Sequence, residues 1–210
     1  MNEPQARAPR LLLIPGSQRQ ASFNARLLGD FARRLAGRCD IDWLAPDQVD
    51  LPLFNQDLEA DPDVVARVAA LHARFAASQG LVVASPEYNG QLTPYLKNLV
   101  DWVSRLAWID SGFGNPFIDR PLLLCSASTG GSGGALAIPH ARALFGYVGA
   151  VVIGDTVCLR RADQAWTGDG YAFGPEADAQ IDGALRRVLR LATAFAAAPD
   201  HRTGTPWPTC

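Results

Sequence analysis

One stretch of the sequence has the residue types that bind phosphate groups. Between Gly16 and Asn24 it reads G-S-Q-R-Q-A-S-F-N, and it joins an apolar run to the start of a helical pattern. Its hydroxyls, its single guanidinium at Arg19 and the unpaired N–H groups of a helix start could together hold a phosphate. The same residues could equally be an ordinary helix cap, with Ser22 as N-cap and Arg19 in solvent. No G-K-S/T follows, which disfavours nucleotide hydrolysis.

A second stretch, S-P-E-Y-N-G-Q-L-T-P-Y-L-K-N from Ser85 to Asn98, follows another apolar run. Pro86 cannot donate to a strand ladder, and Asn89-Gly90 is a strong turn signal. Pro94 suits the first turn of a helix. A loop fixed in this way could present backbone N–H groups and a flat surface to an aromatic ring. It could also be an ordinary strand-to-helix connection with Tyr88 packed on a neighbour.

The third stretch, Ser126 to Gly134, reads S-A-S-T-G-G-S-G-G and has four glycines in nine residues. So many glycines leave backbone amides uncovered, which permits the close approach of a phosphate or a planar ligand. Taken alone, the composition also fits a flexible surface loop.

These three stretches need strands to position them, and the sequence supplies short apolar runs bounded by Gly, Pro or Ser. The runs are Leu11–Ile14, Leu81–Ala84, Leu122–Cys125 and Val151–Ile153. Continuous runs of this length are typical of parallel strands buried on both faces. Ile41–Leu44 differs because acidic residues flank Ile41, a partial alternation that favours an edge strand.

Helical patterns separate the runs, with apolar residues at spacings of three and four. They cover Phe23–Ala36, Pro62–Ala77, Leu92–Leu106 and Ile181–Phe195, and a further helix begins near His140. Alternating strands and helices predict a doubly wound α/β fold: a five-stranded parallel sheet in the order 2-1-3-4-5 with helices on both faces. The three stretches then follow the first, third and fourth strands, at the point where the winding reverses, which is where such sheets bind ligands.

At these motifs the chain resembles the NADPH-dependent FMN reductases, a flavodoxin-like family that includes quinone, chromate and azo-dye reductases. GSQRQASFN is similar to the family's phosphate motif, SPEYNGQLTPYLKNLVDWVSR to its P-E-Y-N-G segment, and SASTGGSGGA to its Gly-rich third loop. The resemblance spans roughly residues 10–195, in the family's order and spacing. One departure is Gln91, where the family commonly has Ser.

The resemblance implies FMN as cofactor and assigns its contacts residue by residue. The FMN phosphate is expected at Ser17, Arg19, Ser22 and Asn24. The flavin-ring loop is expected at Pro86, Glu87, Tyr88, Asn89 and Gly90, largely through backbone atoms, and the other edge of the ring at Ser128, Gly130 and Gly131.

The expected activity is transfer of two electrons by a ping-pong mechanism. NADPH or NADH would reduce the flavin, and a small acceptor such as a quinone, azo dye, metal oxyanion or free flavin would reoxidise it. No catalytic side chain is expected because the flavin N5 carries the hydride. Two alternatives remain open: a flavodoxin-type electron-transfer protein without NAD(P)H turnover, and a flavin-free nucleotide-binding module.

Composition limits the other partners. A formal net charge of −2 gives no general attraction for nucleic acid or anionic lipid, and three scattered histidines disfavour a metal site. We expect a cytoplasmic protein, since the sequence has neither a signal-peptide core nor an apolar stretch long enough to span a membrane. The expected organisation is one FMN-binding domain at 10–198 between flexible tails at 1–9 and 199–210.

A homodimer or dimer of dimers is also expected. Tyr95 and Trp102 lie seven residues apart on a helix that follows Tyr88, so they are predicted to share an aromatic face that a second copy would cover. The segment Trp108–Gly114 matches no motif, and it could border the substrate site or be an ordinary loop.

Overall fold

The structure is a computed structural model and describes residues 8–110 and 112–197. A single five-stranded parallel sheet forms its centre, in the order β2-β1-β3-β4-β5. The strands are β1 (Arg10–Pro15), β2 (Asp40–Trp43), β3 (Gly80–Ala84), β4 (Pro121–Ala127) and β5 (Val151–Leu159). The predicted fold class and strand order are therefore confirmed. The predicted tails, 1–9 and 199–210, lie almost wholly outside the described residues.

Helices cover both faces of the sheet. They are α1 (Phe23–Leu35), α2 (Pro62–Ala77), α3 (Pro94–Ile109), α4 (Ala137–Tyr147), the one-turn α5 (Ala162–Ala165) and α6 (Pro175–Ala197). Alternate residues of β1 point to opposite faces. Leu12 and Ile14 join a core with α2, α3 and α4, whereas Leu11 and Leu13 join a core with α1 and α6. The continuous apolar run of β1 is thus explained by burial on both sides.

The fifth strand differs from its prediction. Val151–Ile153 was expected to be buried on both faces, but β5 is an edge strand and Val151 is exposed. The strand also continues past Gly154 to Leu159, through a bulge where the register with β4 shifts. Arg142 of α4 donates to the carbonyls of Ile153, Gly154 and Asp155 at 2.7, 2.9 and 3.2 Å, so the bulge does not leave these acceptors unpaired.

The prediction that Trp102 belongs to an exposed aromatic face on α3 is also wrong. Trp102 is fully buried and packs with Val64, Val68 and Leu106. Its indole Nε1 donates to the Pro52 carbonyl at 2.8 Å, and the Phe54 ring lies edge-on at 4.8 Å. The connection between β2 and α2 therefore covers this face within one chain, and no second copy is needed to shield Trp102.

Candidate functional site

All of the predicted site residues lie in three loops at the carboxyl edge of the sheet. Loop 1 (16–22, with the first residues of α1) follows β1, loop 2 (85–93) follows β3, and loop 3 (128–136) follows β4. Because β1 and β3 are the neighbours between which the winding reverses, the loops meet at the topological switch point. The structure thus brings the three predicted segments to one place.

Loop 1 is both a helix cap and a set of unused donors. The Ser22 side chain accepts from the N–H of Ala25 at 3.3 Å, as an N-cap does. The Ser17 hydroxyl accepts from the N–H of Arg19 at 3.3 Å. Within the described residues, several N–H groups of this loop have no protein partner: those of Ser17, Gln18, Gln20, Ala21, Phe23 and Asn24. These donors and the positive end of the α1 dipole favour an anion at this point.

Arg19 lies at the rim of loop 1 and is exposed. Its guanidinium donates to the Ala21 carbonyl at 2.7 Å and lies 5.3 Å from the centre of the Phe23 ring. No described carboxylate forms an ion pair with it. The charge of Arg19 is therefore available to a ligand in loop 1.

The side chain of Asn24, unlike those of the other polar residues in loop 1, forms its hydrogen bonds with the end of β4. Its side chain is buried, and its carboxamide accepts from the N–H of Ala127 at 2.8 Å and donates to the Ala127 carbonyl at 2.9 Å. Both polar atoms of the side chain are thus used to join α1 to the end of β4. The backbone N–H of Asn24 is the group that is left for a phosphate.

Loop 2 is held by a tight turn. Tyr88 and Gln91 exchange two backbone hydrogen bonds of 3.0 Å, and the two residues between them, Asn89 and Gly90, have φ angles of 53° and 76°. Positive φ at both central positions is what a type I′ turn requires, which explains the Asn-Gly pair. The N–H groups of Glu87, Asn89 and Gly90 have no partner among the described residues, and Tyr88 is 49% exposed.

Glu87 connects loop 2 to loop 3. Its Oε2 accepts from the N–H groups of Leu136 and Ala137 at 2.9 and 3.3 Å, at the start of α4. Leu136 is the N-cap of α4 and offers no side-chain acceptor, so the Glu87 carboxylate serves that end instead. A negative charge at a helix N-terminus is stabilised by the helix dipole, and this contact accounts for the acid in loop 2 without a role in proton transfer.

Loop 3 also leaves backbone donors exposed. The Ser128 hydroxyl accepts from the N–H of Gly130 at 3.1 Å, which shapes the turn. In the described residues the N–H groups of Thr129, Gly131, Ser132 and Gly133 have no partner. The loop is nevertheless closely packed underneath, since a Cβ on Gly134 would overlap the Ser126 Oγ.

Sequence reasoning missed the contact that joins loops 1 and 2. The Thr93 hydroxyl donates to the Gly16 carbonyl at 2.7 Å and accepts from the N–H of Leu96 at 3.1 Å, as the N-cap of α3. A Cβ on Gly16 would lie 2.8–2.9 Å from three atoms of Ser85, so the two loops touch there. A Thr directly before Pro94 is an N-cap signal, but nothing in the sequence indicates its second partner.

The segment Trp108–Gly114 lies at the other end of α3. This helix has 16 residues, so about 24 Å separates the segment from loop 2. His72, which is buried, contacts the Gly114 carbonyl through Nε2 at 2.7 Å and lies edge-on to Phe113. Burial lowers the pKa of His72 and so favours a neutral ring. The bond to the Gly114 carbonyl acts in the opposite direction but is the smaller effect. Within one chain, the described residues of this segment lie away from the three loops, and Phe113 and Gly114 pack against His72.

Fold and loops together define a flavodoxin-like protein whose switch point has donors for a phosphate and for the polar edge of a planar ring. FMN joins a planar ring to a phosphate, and it therefore fits the hydrogen-bond donors that the three loops provide. Among the described residues there is no cluster of ligands for a metal ion, and no helix is long and apolar enough to span a membrane.

Comparison with known proteins identifies the family. The model of the NADPH-dependent FMN reductase family matches residues 9–164. A probable NADPH:quinone oxidoreductase 2 from Oryza sativa is 33% identical over 198 residues, 90% of each chain. A quinone reductase from Escherichia coli K12 is 29% identical over 144 residues, covering 69% of this chain and 73% of that one.

A solved structure supports the same fold. The flavoenzyme FerB, an NAD(P)H:(acceptor) oxidoreductase from Paracoccus denitrificans, superposes with a TM-score of 0.76 at 23% identity, over 89% of this chain and 98% of its own. The chain therefore belongs to the NADPH-dependent FMN reductase family. It is an NAD(P)H-dependent oxidoreductase of the quinone-reductase type, with FMN as cofactor.

Proposed function

We propose that this chain holds FMN across loops 1–3 and passes two electrons from NAD(P)H to a small acceptor by a ping-pong mechanism. The observation that carries the proposal is the convergence of unpaired N–H donors from three loops that are joined to one another at Gly16, Asn24 and Glu87. The reaction belongs in the cytoplasm, where NAD(P)H is available.

The phosphate of FMN is assigned to loop 1. The Ser17 and Ser22 hydroxyls each accept one bond from the backbone, which leaves their hydrogens free to donate to phosphate oxygens. Arg19 adds a charged donor at the rim, and Asn24 contributes through its backbone N–H. Asn24 otherwise positions the loop through β4.

The flavin ring is assigned to the gap between loops 2 and 3. When bound, FMN supplies hydride acceptance and two-electron release. The protein's part is to fix the ring between two faces: Pro86 to Gly90 on one side, and Ser128, Gly130 and Gly131 on the other. N–H groups aimed at the ring edge would stabilise negative charge there when electrons arrive.

A quinone is the acceptor class that we favour, because relatives over most of the chain length carry quinone reductase names. One of them, from Burkholderia, is named for 2-hydroxy-1,4-benzoquinone and is 31% identical over 158 residues. Azo dyes, metal oxyanions and free flavin are the competing acceptors.

Steady-state kinetics test the reaction. With 1,4-benzoquinone and NADPH varied against each other, parallel double-reciprocal lines are expected, because the first product leaves before the quinone binds. In the absence of oxygen, NADPH alone should reduce the bound flavin in a single turnover, which is seen as the loss of its visible absorption. Intersecting lines would contradict the ping-pong order. Absence of bleaching by either NADPH or NADH would favour the flavodoxin-type alternative.

We also propose that the protein is a homodimer or dimer of dimers, on a different surface from the one predicted at Trp102. Large apolar side chains remain exposed around one shallow groove of α3: Trp108 is 55% and Tyr147 68% exposed, and both line it with Phe54. Leu53, next to Phe54, is 79% exposed. Exposed apolar clusters of this kind often mark interfaces.

Leu53→Glu is expected to dissociate the assembly without unfolding the chain, because the side chain has few contacts within one chain. Sedimentation at micromolar concentration should change from dimer to monomer, while the far-UV spectrum stays the same. Leu53→Gln, which adds no charge, is the matched control and should dissociate less. A monomeric wild-type protein would contradict the proposal.

A further inference from the structure

A surface beside loop 1 combines arginines with aromatic rings, and Arg19 is its one member that the FMN assignment above already uses. We call it the arginine–aromatic surface: Arg19, Phe23, Arg26 and Trp166. The Arg26 guanidinium lies 4.5 Å from the Trp166 ring centre and 5.5 Å from that of Phe23. The Arg19 guanidinium lies 5.3 Å from the same Phe23 ring. Two positive charges therefore flank one aromatic side chain.

Backbone contacts fix this surface next to the flavin loops. Phe23 is the first residue of α1, directly after loop 1. Trp166 follows α5, whose first residue, Ala162, donates its N–H to the Ser128 carbonyl of loop 3 at 3.0 Å. The Tyr171 hydroxyl donates to the Phe23 carbonyl at 3.0 Å, and its ring meets Trp166 edge-on at 5.1 Å. The surface thus lies between loop 1 and loop 3.

The charge of Arg26 is not neutralised within the described residues. Asp30, one helical turn further along, forms ion pairs with Arg33 and Arg34 instead. No described carboxylate pairs with Arg26 or Arg19. If Arg19 serves the FMN phosphate, Arg26 is a second cation beside the same loop, and its charge stays available to an anionic group of another ligand.

We propose that the arginine–aromatic surface binds the adenosine 2′-phosphate end of NADPH, an inference that rests on the proposed function. A guanidinium forks onto phosphate oxygens and also stacks on flat rings, so Arg26 can serve both the 2′-phosphate and the adenine. The partly buried indole of Trp166 adds apolar area for the base. NADPH is then preferred over NADH, which lacks the 2′-phosphate.

Titration calorimetry on the FMN-loaded enzyme tests the site with two fragments, adenosine 2′,5′-diphosphate and 5′-AMP. The diphosphate is expected to bind at least about tenfold more tightly than 5′-AMP. Arg26→Ala should weaken the diphosphate by roughly 10- to 100-fold, the loss expected for a charged hydrogen bond, and weaken 5′-AMP by a much smaller factor, because 5′-AMP loses only the stacking contact. The ratio of KM for NADPH to KM for NADH should rise in the same variant.

Three variants separate this role from others. Arg33→Ala removes the same charge from the same helix, at a side chain that is 56% exposed, and should change neither ligand. Arg26→Lys should restore part of the diphosphate affinity. Arg19→Ala should show the reverse pattern, with weaker FMN and little change in the diphosphate.

Two results would overturn the inference: equal effects of Arg26→Ala and Arg33→Ala, or a loss of FMN affinity in Arg26→Ala as large as the loss for the diphosphate. The second would place Arg26 in the FMN site. If wild-type enzyme is reduced by NADPH but does not bind the diphosphate, the inference fails and the proposed function stands. If neither nicotinamide cofactor reduces the flavin, the proposed function fails first.

Discussion

Replacing Trp102 by alanine is expected to lower the free energy of unfolding by about 3–5 kcal/mol. The side chain is fully buried between α2, α3 and the connection that follows β2, and its removal leaves a cavity that Val64, Val68 and Leu106 line. It also removes the indole bond to Pro52 and the edge-on contact with Phe54. Urea unfolding of the FMN-free protein, followed by circular dichroism, measures the loss.

Trp102→Phe is the matched control. It keeps a large ring but loses the Nε1 donor, and the Pro52 carbonyl still accepts from Asn98 at 2.9 Å. A loss of only about 1 kcal/mol is therefore expected, in the range of one hydrogen bond. If Trp102→Ala instead loses less than about 1 kcal/mol and changes the sedimentation of the protein, the residue lies at an interface and the burial described here is wrong.

The error about Trp102 has a physical origin. Helical periodicity correctly assigns Leu96, Leu99 and Val103 to the sheet, because an apolar stripe must face the core. It cannot say what covers a second stripe on the same helix. Here the cover is the segment between β2 and α2, which has two short 3₁₀ turns at Pro46–Gln48 and Gln56–Ala60 and no periodic pattern of its own.

Strand order could be predicted from the sequence because each buried strand is a short apolar run and right-handed crossovers allow few topologies. The length of β5 could not. Gly154, Asp155 and Thr156 interrupt the apolar run, but the strand resumes its pairing with β4 at Thr156, and Arg142, 11 to 13 positions away, supplies donors for the carbonyls at the bulge. Contacts of this kind leave no local pattern in the sequence.

The candidate site could also be predicted only in part from the sequence. Its loops could be found from local motifs: Asn89-Gly90 for the turn, Ser22 for the cap and the glycines of loop 3. The bonds that join one loop to another, from Asn24, Glu87 and Thr93, link residues 49 to 103 positions apart. The resemblance named Asn24 and Glu87 as site residues, and the structure adds what each side chain holds in place.

These bonds make the three loops one connected unit, since buried or half-buried side chains join loop 1 to loop 2, loop 2 to loop 3, and loop 1 to the end of β4, where loop 3 starts. A ligand that uses backbone N–H groups from all three then needs every loop in its place, because a backbone donor cannot change rotamer to follow it. The affinity for FMN should therefore be sensitive to small displacements between loops, even where no side chain that touches FMN is changed.

Gly16→Ala tests this sensitivity most directly, and we expect it to weaken FMN binding by about 100-fold, or roughly 2.7 kcal/mol. The new Cβ would lie 2.8 and 2.9 Å from the Cβ and Cα of Ser85, so loops 1 and 2 must move apart. Such a shift stretches the Thr93 bond to the Gly16 carbonyl and moves the phosphate donors away from the ring loop. Fluorescence titration of the FMN-free protein with FMN measures the effect, and overpacking should also lower the free energy of unfolding by about 1–3 kcal/mol.

Gly29→Ala gives the same chemical change without the displacement. Gly29 lies inside α1, and a Cβ there would have no neighbour within 4 Å. Alanine at this position should raise the free energy of unfolding by about 0.5–1 kcal/mol through helix propensity and leave FMN affinity unchanged. If Gly16→Ala binds FMN as tightly as Gly29→Ala, the spacing between loops 1 and 2 does not control the site. If it weakens FMN but not riboflavin, the displacement acts on the phosphate donors of loop 1 alone, whereas an equal loss for both ligands means that the ring loop has moved as well.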